Sequence, residues 1–209
     1  IVASHAIRAV SISPDGTRIA IGTNGRHLQV VATPMLEQAR KVHSLTIEEG
    51  GEEGKKIEND NNSSILIKPR ILTEHSKLHL GSVYDVAWSD DSRMLATCSN
   101  DMMVKAMKIR HDYHNFPPNY DEDNTNERDV ELSPVTFRGH DGTIRTLCFA
   151  NGNQIVSGGA GDCHLRVWDP LHQTDGDGPL LSLKGHQGSI FSVQSGCASN
   201  GTSVLNPNT

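Results

Sequence analysis

The feature that most limits what this chain can become is an internal repeat. Three segments align without gaps over their first half: Ile7-Arg-Ala-Val-Ser-Ile-Ser-Pro-Asp-Gly16, Val83-Tyr-Asp-Val-Ala-Trp-Ser-Asp-Asp-Ser92 and Ile144-Arg-Thr-Leu-Cys-Phe-Ala-Asn-Gly152. A fourth start stands at Ile190-Phe-Ser-Val193. In the three fuller copies a turn residue follows the first apolar residue 18 positions on, at Gly25, Asp101 and Asp162. An offset that survives long insertions between copies points to one structural unit used repeatedly. Such a unit cannot bury its apolar face alone and must stack on its neighbours.

Within a copy the apolar residues broadly alternate, as half-buried strands require. In the second copy Val83, Val86 and Trp88 open a strand, Met94 to Thr97 form the next, and Val104, Ala106 and Ile109 supply a third. The third copy predicts strands at Ile144–Phe149, Gln154–Ser157, Leu165–Trp168 and Leu180–Leu183. Gly, Asp and Asn punctuate them, and no helical period of useful length is visible. Four short antiparallel strands per unit describe a propeller blade. The expectation is an all-β chain of about three four-stranded blades plus the start of a fourth.

Composition narrows the rest. Apolar residues make up 35% of the 209, enough for a core, but their longest runs are too short to cross a bilayer. Four cysteines, Cys98, Cys148, Cys163 and Cys197, are scattered without a CxxC pair, which reads as reduced thiols rather than a disulfide framework or a zinc site. The net charge is −6, which argues against nucleic acid or an anionic membrane surface as partner. Between His111 and Ser133 seven acids (Asp112, Asp121, Glu122, Asp123, Glu127, Asp129 and Glu131) face Arg128 alone, so this stretch accounts for the whole net charge. Glu48 to Ser64 is a second polar, glycine-rich stretch. Both read as solvated loops. The chain opens at Ile1 with no apolar stretch of the signal-peptide kind, and the expected location is the cytoplasm.

At its most regular copy the sequence resembles the WD40 repeat family. The third copy carries Gly139-His140, Ile144, Ser157, Asp162 and Trp168-Asp169. The second keeps His79, Thr97 and Asp101, with Met107 where Trp would stand. Gly185-His186 opens a fourth copy, while the first is degenerate, with Ala3, Gly25 and Val31 at the His, Asp and Trp places. The resemblance implies a partial WD40 propeller over 1–194. Blade one spans 1–75 with an insertion at 32–64, blade two 76–138 with the acidic loop at 110–134, blade three 139–184 and an incomplete blade four 185–194. An irregular tail, 195–209, lacks a second strand. The stretches His79–Asp101 and Gly139–Asp162, with Ser157-Gly-Gly-Ala-Gly-Asp-Cys163, look like the carboxy-terminal propeller of nemitin-type WD-repeat proteins, and the degenerate first copy with its long insertion fits too. The likeness covers residues 1–110 and 135–193. It implies amino-terminal LisH and CTLH dimerisation motifs, which this sequence does not contain, and association with microtubules. The chain therefore reads as a fragment of such a protein.

His140, Ser157 and Asp162 could be misread as a hydrolase triad, since geometry and not order defines one. No Gly-x-Ser-x-Gly elbow surrounds Ser157. The alternative is structural: Asp162 accepts from His140, His140 meets Ser157, and the Trp168 indole donates back, as a buried chain of fully satisfied groups. His79, Thr97 and Asp101 read the same way. His111-x-x-His114 near Asp112 and Asp121, and the pair His75 and His79, lack the scaffold that metal spacing demands. Asp121-x-Asp123-x-Thr125 lacks the Gly and Glu of a calcium loop. Gly158-Gly-Ala-Gly161 has the wrong spacing for a phosphate loop. Asn61, Asn62 and Asn200 head sequons with no secretory context. No metal and no cofactor are expected.

What remains is a surface for proteins. In related propellers the residues flanking the first apolar position of each blade, and the one before the turn Asp, crowd one face around the channel. By that resemblance the partner-binding candidates are Arg8, Asn24, Tyr84, Asn100, Arg145 and Phe191, several of them of the types that anchor interfaces. The expected function is a non-catalytic interaction scaffold, part of a microtubule-associated protein located in the cytoplasm or cytoskeleton. Its partners would be proteins, microtubules among them, not nucleic acid or membrane. The rivals are a propeller that presents substrates to a ubiquitin ligase and, more remotely, a hydrolase using Ser157, His140 and Asp162.

Overall fold

A computed structural model describes residues 5–33, 71–109, 134–150 and 153–196. Most of the expected insertions, with His111, His114, Asp112 and Asp121, lies outside the described residues, as does the tail from 197. The chain is all-β. The first sheet holds β1 (Ile7–Ile12), β2 (Arg18–Thr23), β3 (Leu28–Ala32) and β4 (Ile71–His75). The second holds β5 (Val83–Trp88), β6 (Met94–Ser99), β7 (Met103–Lys108) and β8 (Val135–Arg138). The third holds β9 (Ile144–Phe149), β10 (Ile155–Gly159), β11 (Leu165–Trp168) and β12 (Leu181–Leu183). Each sheet is a four-stranded antiparallel meander in chain order.

The turns show why the copies fold alike. Gly16, Ser92 and Asn153 all have φ between 59° and 72°, and each stands nine positions after the first apolar residue of its copy. Arg26, Met102 and Cys163 have φ between 58° and 73°, and each directly follows the turn residue Gly25, Asp101 or Asp162. Left-handed backbone thus recurs at two fixed offsets in every copy, even the degenerate first one, although β10 pairs one residue earlier than β2 and β6 do. In the first turn of two copies an aspartate closes the loop. Ser13 Oγ and Thr17 N donate to Asp15 Oδ1 at 2.5 and 2.9 Å, and Ser89 Oγ and Arg93 N donate to Asp91 Oδ1 at 2.6 and 3.0 Å.

Packing between sheets supplies the core. Ala20, Leu28 and Val30 of the first sheet meet Val83, Val86, Trp88 and Leu95 of the second. On the other side Ala96, Val104 and Phe137 meet Ile144, Leu147, Phe149 and Trp168 of the third. The second sheet is thus buried on both faces, and every residue of β6 is buried. Each large apolar side chain so enclosed contributes about 1.5–3 kcal/mol. Strands β1, β5 and β9 lie side by side and form the inner edge. Polar links cross the same seams. Arg18 Nη2 donates to Ser92 O at 2.7 Å, the Trp88 indole to Ser11 O at 3.1 Å, and Leu147 N to Asp85 Oδ2 at 2.9 Å.

Some strand limits differ from expectation. The third strand of the second copy ends at Lys108, and Ile109 follows it as a buried residue outside the strand. Leu180 precedes β12 instead of opening it. Residues 184–196 contain no strand. Even so, Ile190 is 7% exposed, its N–H donates to Gly159 O at 3.2 Å, and Val193 N donates to Thr146 Oγ1 at 3.1 Å. With Ser189 Oγ donating to Ala160 O at 2.6 Å, the fourth start docks on the third copy by one apolar side chain and these hydrogen bonds.

Candidate protein-interaction face

In the third sheet four side chains form one directed chain. Asp162 accepts at both carboxylate oxygens from His140 Nδ1, at 3.2 and 2.9 Å. A carboxylate only accepts, so Nδ1 carries the proton. Burial drives the His140 pKa down despite the opposing pull of Asp162, so the ring is neutral and Nε2 accepts from Ser157 Oγ at 2.7 Å. Ser157 Oγ in turn accepts the Trp168 indole N–H at 2.8 Å. Every donor points towards Asp162. Burial alone would raise that carboxyl, but the N–H of Asp141, the His140 ring and the N–H of His164 outweigh it and hold it at about 2. In the second sheet His79 Nδ1 donates to Asp101 Oδ2 at 2.9 Å and Nε2 meets Thr97 Oγ1 at 2.9 Å. Buried Met107 sits at the Trp place.

Two participants escape a sequence reading. Arg166, in β11, contacts the Asp162 carboxylate with Nη1. No motif marks it, although its position four residues beyond the turn aspartate is a signal. Gly159 leaves room for the pair, since a Cβ there would stand 1.8 Å from Asp162 Oδ1 and 2.8 Å from His140 Nδ1. The glycine run is therefore a site of close approach. In the first copy, read from sequence as having no network, Ala3 lies outside the described residues, and the His5 ring instead closes on Gly25. His5 also stacks on His27 with centroids 5.1 Å apart.

The partner-binding candidates lie at the end of the sheets where β1, β5 and β9 begin. Arg8, Tyr84 and Arg145 are the second residues of those strands. The structure brings these three together: the Arg145 Cζ lies 4.3 Å and the Arg8 Cζ 5.8 Å from the Tyr84 ring centroid. Asn24 and Asn100 stand in the turns beside them. Asn24 O accepts from Ser82 Oγ at 3.2 Å, and Asn100 Oδ1 from Ser99 Oγ at 3.4 Å. Phe191 is 69% exposed on the segment that docks against the third sheet. Among the described residues no cluster of three or more His, Cys, Asp or Glu is arranged to hold a metal ion.

The family description "WD domain, G-beta repeat" (WD40) matches residues 70–106 and 133–169, the segments that contain the two His–Asp pairs. Both segments are similar to WD40 repeats. The fold agrees over nearly the whole chain. It is similar to the crystal structure of the RRP9 WD40 repeats (16% identity, TM-score 0.58, 91% of this chain and 42% of that one). It is also similar to the structure of U3-55K (17%, 0.58, 91% and 42%) and to a chain of the mitotic checkpoint complex (13%, 0.55, 90% and 40%). At such identity the likeness shows the fold, a partial WD40 propeller. The chain spans about two fifths of the length of these solved chains. The first sheet lies outside the matched WD40 segments apart from β4, and its left-handed turn positions mark it as a third, degenerate copy.

Proposed function

We propose that this chain is a non-catalytic protein-interaction scaffold within a microtubule-associated WD-repeat protein of the nemitin kind, acting in the cytoplasm and at the cytoskeleton. The observation that carries the scaffold reading is where the reactive-looking groups sit. Ser157 is 0% exposed, and its hydroxyl is shared between His140 and the Trp168 indole. A nucleophile must reach its substrate, and this one faces only its own sheet. Arg8, Arg145 and Phe191 instead hold exposed positions, with half-buried Tyr84 beneath the two arginines, and these are types that anchor interfaces.

The microtubule part rests on the likeness of His79–Asp101 and Gly139–Asp162 to nemitin-type propellers and on the insertion that follows β3. A division into blades 1–75, 76–138 and 139–184 with a start at 185–194 goes with it. Proximity labelling in neurons, with the tag on the product of this gene, tests the proposal. Enrichment of tubulin and microtubule-binding proteins is expected. Enrichment of a ubiquitin-ligase adaptor set in their place would overturn the microtubule part, and labelling of Ser157 by a fluorophosphonate would overturn the scaffold part.

A further inference from the structure

We propose that Arg8, Tyr84 and Arg145 form a clamp for an extended acidic peptide, with Asp or Glu at alternate positions, on a partner protein. This deepens the scaffold reading and rests on it. The arginines that serve the fold are buried and paired: Arg18 with Asp15, and Arg166 with Asp162. Arg8 and Arg145 are exposed, and among the described residues neither pairs with a carboxylate. Both are drawn to one aromatic ring, at 5.8 and 4.3 Å from its centroid. Tyr84 is itself packed against the core between the second and third sheets. Cation–π attraction keeps each guanidinium at the ring, where its N–H groups can grip a carboxylate in a bidentate pair.

Three carboxylates near the strand starts are engaged elsewhere. Asp101 and Asp162 are buried and taken up by His79 and His140. Asp85, next to Tyr84, turns into the seam, where its two oxygens accept the N–H of Val86 and of Leu147 at 2.9 Å each. The acidic run His111–Ser133 enters between β7 and β8. The register pairs the start of β5 with the end of β6 and the start of β7. Ile109 and Pro134, the described residues that flank it, stand at the far end of the second sheet from Tyr84, about 20 Å away for strands of six residues. A chain of net charge −6 thus carries a doubly positive point on one face.

Spacing selects the ligand. Both guanidinium carbons lie within 6 Å of one centroid, so they are no more than about 10 Å apart. Acidic side chains at i and i+2 of an extended peptide project from the same face about 6.5 Å apart, which lets each reach one arginine. Ser82, with its hydroxyl on Asn24 O, and Asn100 stand by for the peptide backbone.

The test is fluorescence anisotropy on the whole chain at low salt, with a fluorescein-labelled octapeptide of alternating Ser and Glu. The same peptide with Gln in place of Glu, and an oligo-dT of equal charge, are the controls. The expected result is at least tenfold tighter binding of the Glu peptide than of either control. Arg8→Gln and Arg145→Gln should each weaken it about three- to tenfold, and the double variant should abolish the preference. Thermal melts of these exposed-site variants should match the parent. A Glu preference unchanged in the double variant, no preference at all, or equal binding of oligo-dT would overturn the clamp. Loss of cellular partners on Tyr84→Ala without any peptide preference overturns the clamp and leaves the scaffold reading standing. Peptide binding with no cellular partners supports the clamp and overturns the scaffold reading.

Discussion

Replacing Asp162 by Ala tests the buried network at its acceptor. The carboxylate receives His140 Nδ1 at 2.9 Å, Asp141 N at 3.1 Å, His164 N at 3.3 Å and the Arg166 guanidinium. Its side chain is buried, and so is that of Arg166, whose Nε has no other partner. Alanine therefore strands a buried guanidinium as well as a ring N–H. Removing one side of a buried ion pair costs about 3–5 kcal/mol. Taking the lower figure, and 2–4 °C per kcal/mol for a chain of this size, the melting temperature should fall by roughly 6–12 °C. Asp101 supplies an internal comparison. It accepts from His79, Leu80 N and Met103 N, but Lys105 stands four residues on where the third sheet has Arg166, and no Lys105–Asp101 pair forms. Asp101→Ala leaves no buried guanidinium behind and should cost only about 1–3 kcal/mol. The double variant Asp162→Ala/Arg166→Met removes both charges and should recover at least ~1 kcal/mol over Asp162→Ala. Calorimetry at neutral pH reads all four proteins. An Asp162→Ala melt within about 2 °C of the parent, well inside the shift expected of a buried pair, would refute the reasoning. So would a double variant no better than the single one.

Four further outcomes are expected. Acid should unfold the chain in two stages: His140 is depressed in the fold, so its contribution is full above its ordinary 6.5 and falls below it, while Asp162, at about 2, gives stability above its ordinary 3.8 that is lost as pH falls towards 2. Urea midpoints at three pH values that rise on acidification would contradict both. Gly159→Ala should destabilise by about 1–3 kcal/mol, because its Cβ would stand 1.8 Å from Asp162 Oδ1; an unchanged melt would show that the pair has slack. Met102→Gly should stabilise by about 0.5–1 kcal/mol, since an exposed residue with φ 70° loses its Cβ conflict; a lower urea midpoint would count against it. Val10 and Ile12 are 59% and 60% exposed on the edge strand β1, so the purified chain should self-associate, and Val10→Lys/Ile12→Lys should shift size-exclusion elution towards monomer; a parent already monomeric would refute this.

The parts of the fold that sequence displays are those governed by one copy at a time. Ile144, Leu147 and Phe149 alternate with polar neighbours because a strand has two faces. The 18-residue offset survives because both hairpins need left-handed backbone at fixed places, and Met102 and Cys163 accept it at their own cost. The four polar groups His140, Ser157, Asp162 and Trp168 can be linked from sequence, because buried polar atoms need partners and each supplies what another lacks. What sequence hides depends on how copies meet. Arg166 is hidden for another reason: it stands four residues after Asp162 and pairs with it, while Lys105 stands four after Asp101 and does not, so spacing alone does not mark the pair. Asp85 stands where alternation alone would leave an ordinary strand residue, yet it caps a backbone N–H of the next sheet. The convergence of Arg8 and Arg145 on Tyr84 comes from three strands of three sheets, a distance that no period within one copy encodes.

The same geometry explains why a binding face can sit where it does. Asp101 and Asp162 stand within their turns and accept both a histidine ring N–H and the backbone N–H two residues on, so each turn is held by buried bonds. The second residues of β1, β5 and β9 are freer, because their strands are fixed by the pairing of the neighbouring residues, Val83 with Ser99 and Ile144 with Gly159. Side chains at Arg8 and Arg145 can therefore vary without loss to the core, whereas Tyr84 also packs against it. A partner meeting them finds a surface already in place, and little of its binding energy is lost to ordering the turns beneath. Roles differ residue by residue within a single strand: Val83 lies in the core, half-buried Tyr84 carries Arg8 and Arg145, and Asp85 turns to the next sheet.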